Sequence, residues 1–479
     1  MIAVLFLYAL PVALAFFVDG KLLYAETADD TLYEARVIGL RWSGGLSNPY
    51  LSEHQNSQRY MSEIVEQALS YGSLLTGVEP LHLVILSRML APSLIFLFVY
   101  ALGRQLGLHP PFAFLAGLLA DLAPSISVEP YALRYFRVIS PATHVLLFLG
   151  TIYGVSAVWR RPSWKTVTLA GSGLGLVLYT PIYYWTCALL GTGLLALFSR
   201  GVTRRALLVS LALGLALGSV SLFHFVQLGA QPDVNETLSR LQLMIPGRMP
   251  EPGALPRFIT GLAMLAVLRW SARYPCKWAQ FLVPFCITGT FMLVQNVLTN
   301  RQIQSYHMVN CLIPLWMIVA AGVMQRWKPE NSRILWEVAL ICVVGLVVQV
   351  SSYRAWQRGV KDDPALFALD QLIPNTISWL NSHSSSGSVV LTRDDSVSSS
   401  LPLFTRNRLF TAHYIFQYVI SNRELESREE AAKTWRPGKE LPYHADYFLG
   451  LGSDCSSLPA IRTVFRNETE STCVYQITP

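Results

Sequence analysis

Three acids, Glu26, Asp30 and Glu34, recur every four residues in the stretch Glu26-Thr27-Ala28-Asp29-Asp30-Thr31-Leu32-Tyr33-Glu34-Ala35-Arg36. On a helix that spacing sets them along one face, where each like-charge pair costs a few tenths of a kcal/mol. Such a row settles when it faces a cation: an arginine, a metal ion or a charged group of a substrate. Otherwise it is a solvated acidic cap on an interfacial helix. Two other segments offer the opposite charge. Arg134 and Arg137 stand three apart in Ser127–Arg137, and Asn300–His307 carries Arg301 and His307 beside amide side chains. Arginine suits phosphate because its planar fork donates two parallel hydrogen bonds. The same side chains also snorkel to lipid headgroups. Glu129 and Glu34 are the acids available to a divalent ion, Mg2+ or Mn2+, which takes carboxylate and phosphate oxygens together.

The elements that must position these groups are membrane spans. Of 479 residues, 52% are hydrophobic and 14% charged, with a mean hydropathy of +0.39; soluble domains carry roughly 25% charged residues. Apolar segments close to the ~20 residues that cross a bilayer fall at 1–18, 81–102, 110–124, 140–158, 166–181, 183–198, 206–227, 256–269, 279–298, 308–325 and 334–352. The first lacks a basic leader and a clear small-residue cleavage site, so it reads as an uncleaved span. The net charge of +7 is not a nucleic-acid signature, because the basic residues sit at span ends. Short connections on one side carry Arg104, then Arg160, Arg161 and Lys165, then Arg200, Arg204 and Arg205. They continue with Arg269, Arg273 and Lys277, then Arg326, Lys328 and Arg333. The positive-inside rule places that side in the cytoplasm. The amino terminus is then inside, and residues 353–479 are outside. Arg354, Arg358 and Lys361, just past the last span, run against the rule.

Two outer segments are long. In 19–80, the residues Met61, Ile64, Val65, Ala68 and Leu69 recur at helical spacing with Glu63, Glu66 and Gln67 between them, the pattern of an amphipathic interfacial helix. The tail turns polar, with short strands expected at Ser388–Thr392, Tyr447–Leu451 and Thr472–Ile477 and helices at Asn375–Ser382 and Arg423–Lys433. The expected fold class is therefore an all-α polytopic membrane protein, about 11 helices over 1–352, with a small α/β extracytoplasmic domain over 353–479. Cys455 and Cys473 lie in that tail and are able to pair in an oxidising compartment; spacing alone leaves the pairing open. Arg88, Asp121, His144 and His224 lie inside spans, where ionisable groups face a cavity or a partner. Arg88 and Asp121 sit at outer helix ends and suit an ion pair. Tyr179, Tyr183, Tyr184 and Trp185 surround Pro181 at an outer turn, as an aromatic belt does, or as a wall against a sugar or lipid.

A first span, a long outer loop with paired acids near its start, many further spans and a terminal outer domain resemble the GT-C superfamily of membrane glycosyltransferases. The likeness is to the branch of the protein O-mannosyltransferases, the aminoarabinose transferases and the RgtA-type enzymes. Ala28-Asp29-Asp30-Thr31-Leu32-Tyr33-Glu34-Ala35 and Asn48-Pro49-Tyr50-Leu51-Ser52-Glu53-His54 carry it. The resemblance implies a polyprenyl-phosphate- or diphosphate-linked sugar donor, inverting transfer to a glycan, lipid or protein acceptor, and a loop-one Asp as general base. Asp29 and Asp30 both match that position. It also implies cations at the departing phosphate, for which Arg137, Arg301, Arg134 and His307 are the candidates. Two other readings remain: an O-antigen ligase or polymerase, which would depend on outer-loop arginines and a histidine, and a non-enzymatic transporter with its charges at mid-bilayer. No P-loop, dinucleotide fingerprint or zinc-spaced cluster is present.

Overall fold

The computed structural model describes residues 2–477 except 22, 24–27, 44–47, 49, 52, 55–63, 128–140, 242–244, 250–253, 272–275, 303–304, 328–333, 412–418 and 457–461. Each apolar segment of the sequence lies on helix. Helix α1 (Ile2–Phe17) precedes the first long loop, loop one, which holds α2 (Ala28–Ser43) and α3 (Ile64–Thr76). The bundle continues with α4 (Pro80–Gln105), α5 (Pro110–Ser127), α6 (Thr143–Arg160), α7 (Trp164–Val177) and α8 (Ile182–Phe198). Helices α9 (Gly201–Leu217) and α10 (Ser219–Gly229) bend by 53° at the break between them. Then come α11 (Val234–Arg240), β1 (Ile245–Pro246), α12 (Ala254–Ser271), α13 (Lys277–Met292), α14 (Asn296–Thr299), β2 (Arg301–Gln302), α15 (Ser305–Trp327) and α16 (Ile334–Asp362).

Helix α4 shows why these elements suit a bilayer. Leu86, Leu90, Leu94 and Leu97 recur at helical spacing and are 41–44% exposed. Arg88, Ala91, Ile95 and Val99 are buried on the inward side. An apolar outer face and a packed inner one is the arrangement lipid selects. Among the described residues, Pro80–Gln105 and His307–Trp327 are long and apolar enough to cross a membrane, and the bent pair α9–α10 makes a third if taken as one span. Helices α7 and α9 approach closely through small residues. A Cβ added at Gly214 would stand 2.5 Å from the Cβ of Leu174.

The tail contains α17 (Pro364–Phe367), α18 (Leu369–Leu372), α19 (Pro374–His383), β3 (Val389–Leu391), α20 (Asp395–Phe404), β4 (Arg408–Leu409), α21 (Asn422–Thr434), β5 (Tyr447–Leu451), α22 (Ser453–Ser456), β6 (Thr463–Asn467) and β7 (Thr472–Gln476). Its five-stranded sheet has the order β4-β3-β5-β7-β6, with β3 parallel to both neighbours and β7 antiparallel to both of its own. Alternation along the strands sends Val390, Leu409, Leu449 and Val474 into a core shared with α20 and with Val37, Ile38 and Tyr50 of loop one. Val389, Leu391, Phe448 and Tyr475 face the other side, against Ala432 and Trp435. Cys455 and Cys473 form a disulfide, with Cα atoms 5.6 Å apart. The five expected strands and helices of the tail all form; α20, β4 and β6 were not foreseen.

Candidate active site

The site begins with α2. Asp30 and Glu34, four apart, point to the same side. Helix α2 packs through Tyr33, Val37 and Ile38 against Val65 of α3, Leu81, Val84 and Ile85 of α4 and Val397 and Leu401 of α20. That packing removes its acids from water. Arg88, one turn beyond Val84, reaches them: its Nη2 lies 2.5 Å from Glu34 Oε1, to which it donates a hydrogen bond, and 3.8 Å from Asp30 Oδ2. All three side chains are buried, at 1% for Arg88 and Glu34 and 4% for Asp30. Burial pushes the Glu34 carboxyl up to about 8; Arg88 opposes the rise and Asp30 adds to it. The acidic row thus meets the cation that its spacing asked for, and the cation is a protein arginine. Asp121, the partner expected for Arg88, lies buried on α5.

A second buried pair joins α2 to α3. Arg36 Nη1 is 3.7 Å from Glu66 Oε1, with the two side chains 3% and 1% exposed. Sequence periodicity put Glu66 on the wet face of an amphipathic helix. The structure turns α3 so that Glu66 is inside and Ala68 exposed, since a buried guanidinium has to be paired. Helix α3 begins at Ile64, and Met61 and Glu63 lie outside the described residues.

The second stretch of loop one is stapled to the tail. Asn48 Oδ1 accepts from the backbone N–H groups of Tyr50 and Leu51 at 2.8 and 3.3 Å, closing a local turn. The Leu409 N–H donates to Tyr50 O at 2.6 Å, and Arg408 donates to the carbonyls of Asn48 and Leu51 at 3.3 and 3.2 Å. Glu53 Oε2 lies 3.3 Å from Arg428 Nη2, and His54 Nε2 lies 2.7 Å from Glu424 Oε1. Arg428 is fully buried, donates to Phe410 O at 3.0 Å and stacks 3.8 Å from the Tyr443 ring centroid.

Other expected residues are placed as follows. Asp29 lies on α2 next to Asp30, but its side chain is outside the described part. Glu26, Glu129, Arg134 and Arg137 are also outside it. Arg301 starts β2, which pairs antiparallel with β1, and is exposed. Asn300 precedes it at φ 54°, a left-handed turn that asparagine tolerates. His307, on α15, stacks on Tyr183 with ring centroids 5.1 Å apart, and His144 lies 5.6 Å from Tyr184. Tyr183 and Tyr184 are each only 2% exposed. They are therefore interior groups between α6, α8 and α15 and not a lipid-facing belt, because their hydroxyl-bearing rings pack on histidines. Among the described residues no group of three or more His, Cys, Asp or Glu gathers to hold a metal ion. Of the two acids considered for Mg2+ or Mn2+, Glu34 faces the Arg88 guanidinium and Glu129 lies outside the described residues.

A helical bundle, a buried loop-one helix and a terminal sheet docked upon it make up the fold. The crystal structure of ArnT from Cupriavidus metallidurans bound to undecaprenyl phosphate is similar over 99% of this chain and 96% of that chain, with a TM-score of 0.59 and 12% sequence identity. At that identity the likeness is one of fold. No family model matches the chain, and no curated protein matches it.

Proposed function

We propose that this protein transfers a sugar from a polyprenyl-phosphate or diphosphate donor to a glycan, lipid or protein acceptor on the outer face of the membrane, with inversion. One observation carries the reading: Asp30 and Glu34 lie buried against Arg88 where loop one meets a membrane-spanning helix. The fold likeness to a protein crystallised with undecaprenyl phosphate supports it. In this reading all eleven apolar segments cross the bilayer, the amino terminus is cytoplasmic, and 353–479 forms a domain outside.

Asp30, or Asp29 beside it, takes the proton of the acceptor hydroxyl. The acceptor oxygen attacks the anomeric carbon as the bond to the donor phosphate oxygen breaks. The polyprenyl phosphate leaves with its charge held by Arg137, Arg301, Arg134 and His307. A positioned base contributes about 10²–10⁴ in rate, and preorganised cations stabilise the leaving charge. Arg88 is a positioning residue that holds the acids in place. The test is Asp29→Asn and Asp30→Asn, made singly and assayed in liposomes with a polyprenyl-phosphate-linked sugar, in EDTA and with added Mg2+ or Mn2+. One variant loses about 10²-fold or more of transfer. Full activity in both removes the reading, and so does cysteine labelling that finds 26–34 facing the cytosol.

A further inference from the structure

The tail sheet has two faces, and only one of them meets loop one. On the other, the chain from Trp435 to Ala445, together with Arg462, Tyr475 and Ile477, lines an open cleft of about 650 Å³. That volume lies within the range of roughly 300–1,000 Å³ typical of small-molecule sites. Its walls include Leu441, Pro442 and Tyr443, with Lys439, His444 and Arg462 among the polar side chains. Glu440 is the one acid in the lining, so cationic groups outnumber it.

The walls are held in place. Trp435 is buried, and its indole N–H donates to Lys439 O at 3.2 Å, closing the turn through Gly438, whose φ of 88° favours glycine. Lys439 Nζ donates to Thr434 Oγ1 at 2.9 Å. His444 Nε2 lies 3.0 Å from Asp446 Oδ1, while Asp446 Oδ2 accepts the Val389 N–H at 2.7 Å. That chain ties the imidazole to the sheet. Tyr443 is fixed by Arg428 stacked 3.8 Å from its ring centroid.

We propose that this cleft binds an anionic saccharide, a sugar bearing a carboxylate or phosphate. The anion would lie between Lys439 and Arg462, and the C–H face of the ring against Tyr443 and Pro442. This goes beyond the transferase reading, because the site is on the sheet face opposite α2 and would bind without turnover.

The test uses the full chain in nanodiscs, titrated calorimetrically with trigalacturonate, maltotriose and inorganic phosphate. Trigalacturonate is expected to bind, with maltotriose and phosphate each weaker by about tenfold or more. Lys439→Glu with Arg462→Glu should weaken trigalacturonate by about tenfold or more while keeping the unfolding midpoint of the parent. Both residues are exposed, so the fold tolerates the change. The carboxylate and phosphate sources are separated by repeating the titration with glucose 6-phosphate, and binding of either supports the site. No binding of either sugar acid overturns the proposal. So does binding that the double variant leaves unchanged, maltotriose binding as tightly as trigalacturonate, or phosphate alone matching the sugars. Asp30→Asn is carried in parallel. Retained trigalacturonate binding there separates this site from the transferase site, and binding lost there but kept in the double variant overturns it.

Discussion

Arg88 and Arg428 are both buried guanidinium groups, and their surroundings differ in a telling way. Arg428 draws partners from three parts of the chain: Glu53 of loop one, Glu424 on its own helix and the Phe410 carbonyl, with Tyr443 stacked on it. Arg88 meets two acids of one helix, Asp30 and Glu34 of α2. A cation shared among segments fixes architecture. A cation beside two buried carboxylates of one helix sits where a carboxyl is pushed up, to about 8 at Glu34, the kind of group acid–base chemistry uses.

Paired substitutions break the comparison most directly. Arg428→Met should cost about 3–5 kcal/mol of stability, because Glu53 and Glu424 lose their partner and loop one its anchor. The readout is the thermal midpoint in detergent, with transfer per folded molecule kept. Transfer lost at an unchanged midpoint would reverse the roles given to the two arginines. Arg88→Met should also destabilise, since it leaves two buried carboxylates without this cation, but it should in addition lower transfer per folded molecule by roughly 10–10²-fold through lost positioning, read from initial rates normalised to the folded fraction.

Glu34 sharpens the contrast through pH. Its carboxyl ionises near the ordinary value of 4.5 when unfolded and is pushed up to about 8 when folded, by burial. The folded state therefore holds the extra proton between those values, and the stability this gives falls as pH rises through that window. Glu34→Gln should flatten the pH dependence of the midpoint and raise it at about pH 8 by roughly 2–4 °C, measured by scanning fluorimetry at several pH values. A wild-type slope of the opposite sign would remove Glu34 from this role. The smallest effect belongs to His54→Ala. The pair with Glu424 is partly exposed, at 27% and 18%, so its loss should cost less than about 1 kcal/mol, read from the same melts.

Much of this was legible in the sequence. Apolar runs of the right length all became helices, because the alternative, bare backbone in lipid, is too costly. Arg354, Arg358 and Lys361 run against the charge rule; they lie on the last part of α16, which has 29 residues, about 44 Å of helix against ~30 Å of hydrocarbon. The acid spacing foretold a helical row and an opposed cation, while the choice of Arg88 depended on tertiary packing. Helix α20 was hidden by Ser398-Ser399-Ser400, a run that reads as loop. In the fold Ser399 donates back to Asp395 O at 2.7 Å and Ser400 to Leu366 O at 3.1 Å, so the serines are buried and satisfied. Strand β4 is two residues long and exists by pairing, which no local pattern announces.

Helix α16 has one further consequence. Its Val343, Val344, Leu346 and Val347 are exposed, whereas Tyr353 and Gln357 further along both donate to Asp19, just past α1. The first and last bundle helices are thereby clamped together where the tail begins. A rod gripped in this way does not pivot at its base, so a load applied to the sheet is delivered as tilt of two helices at once instead of being lost in a hinge.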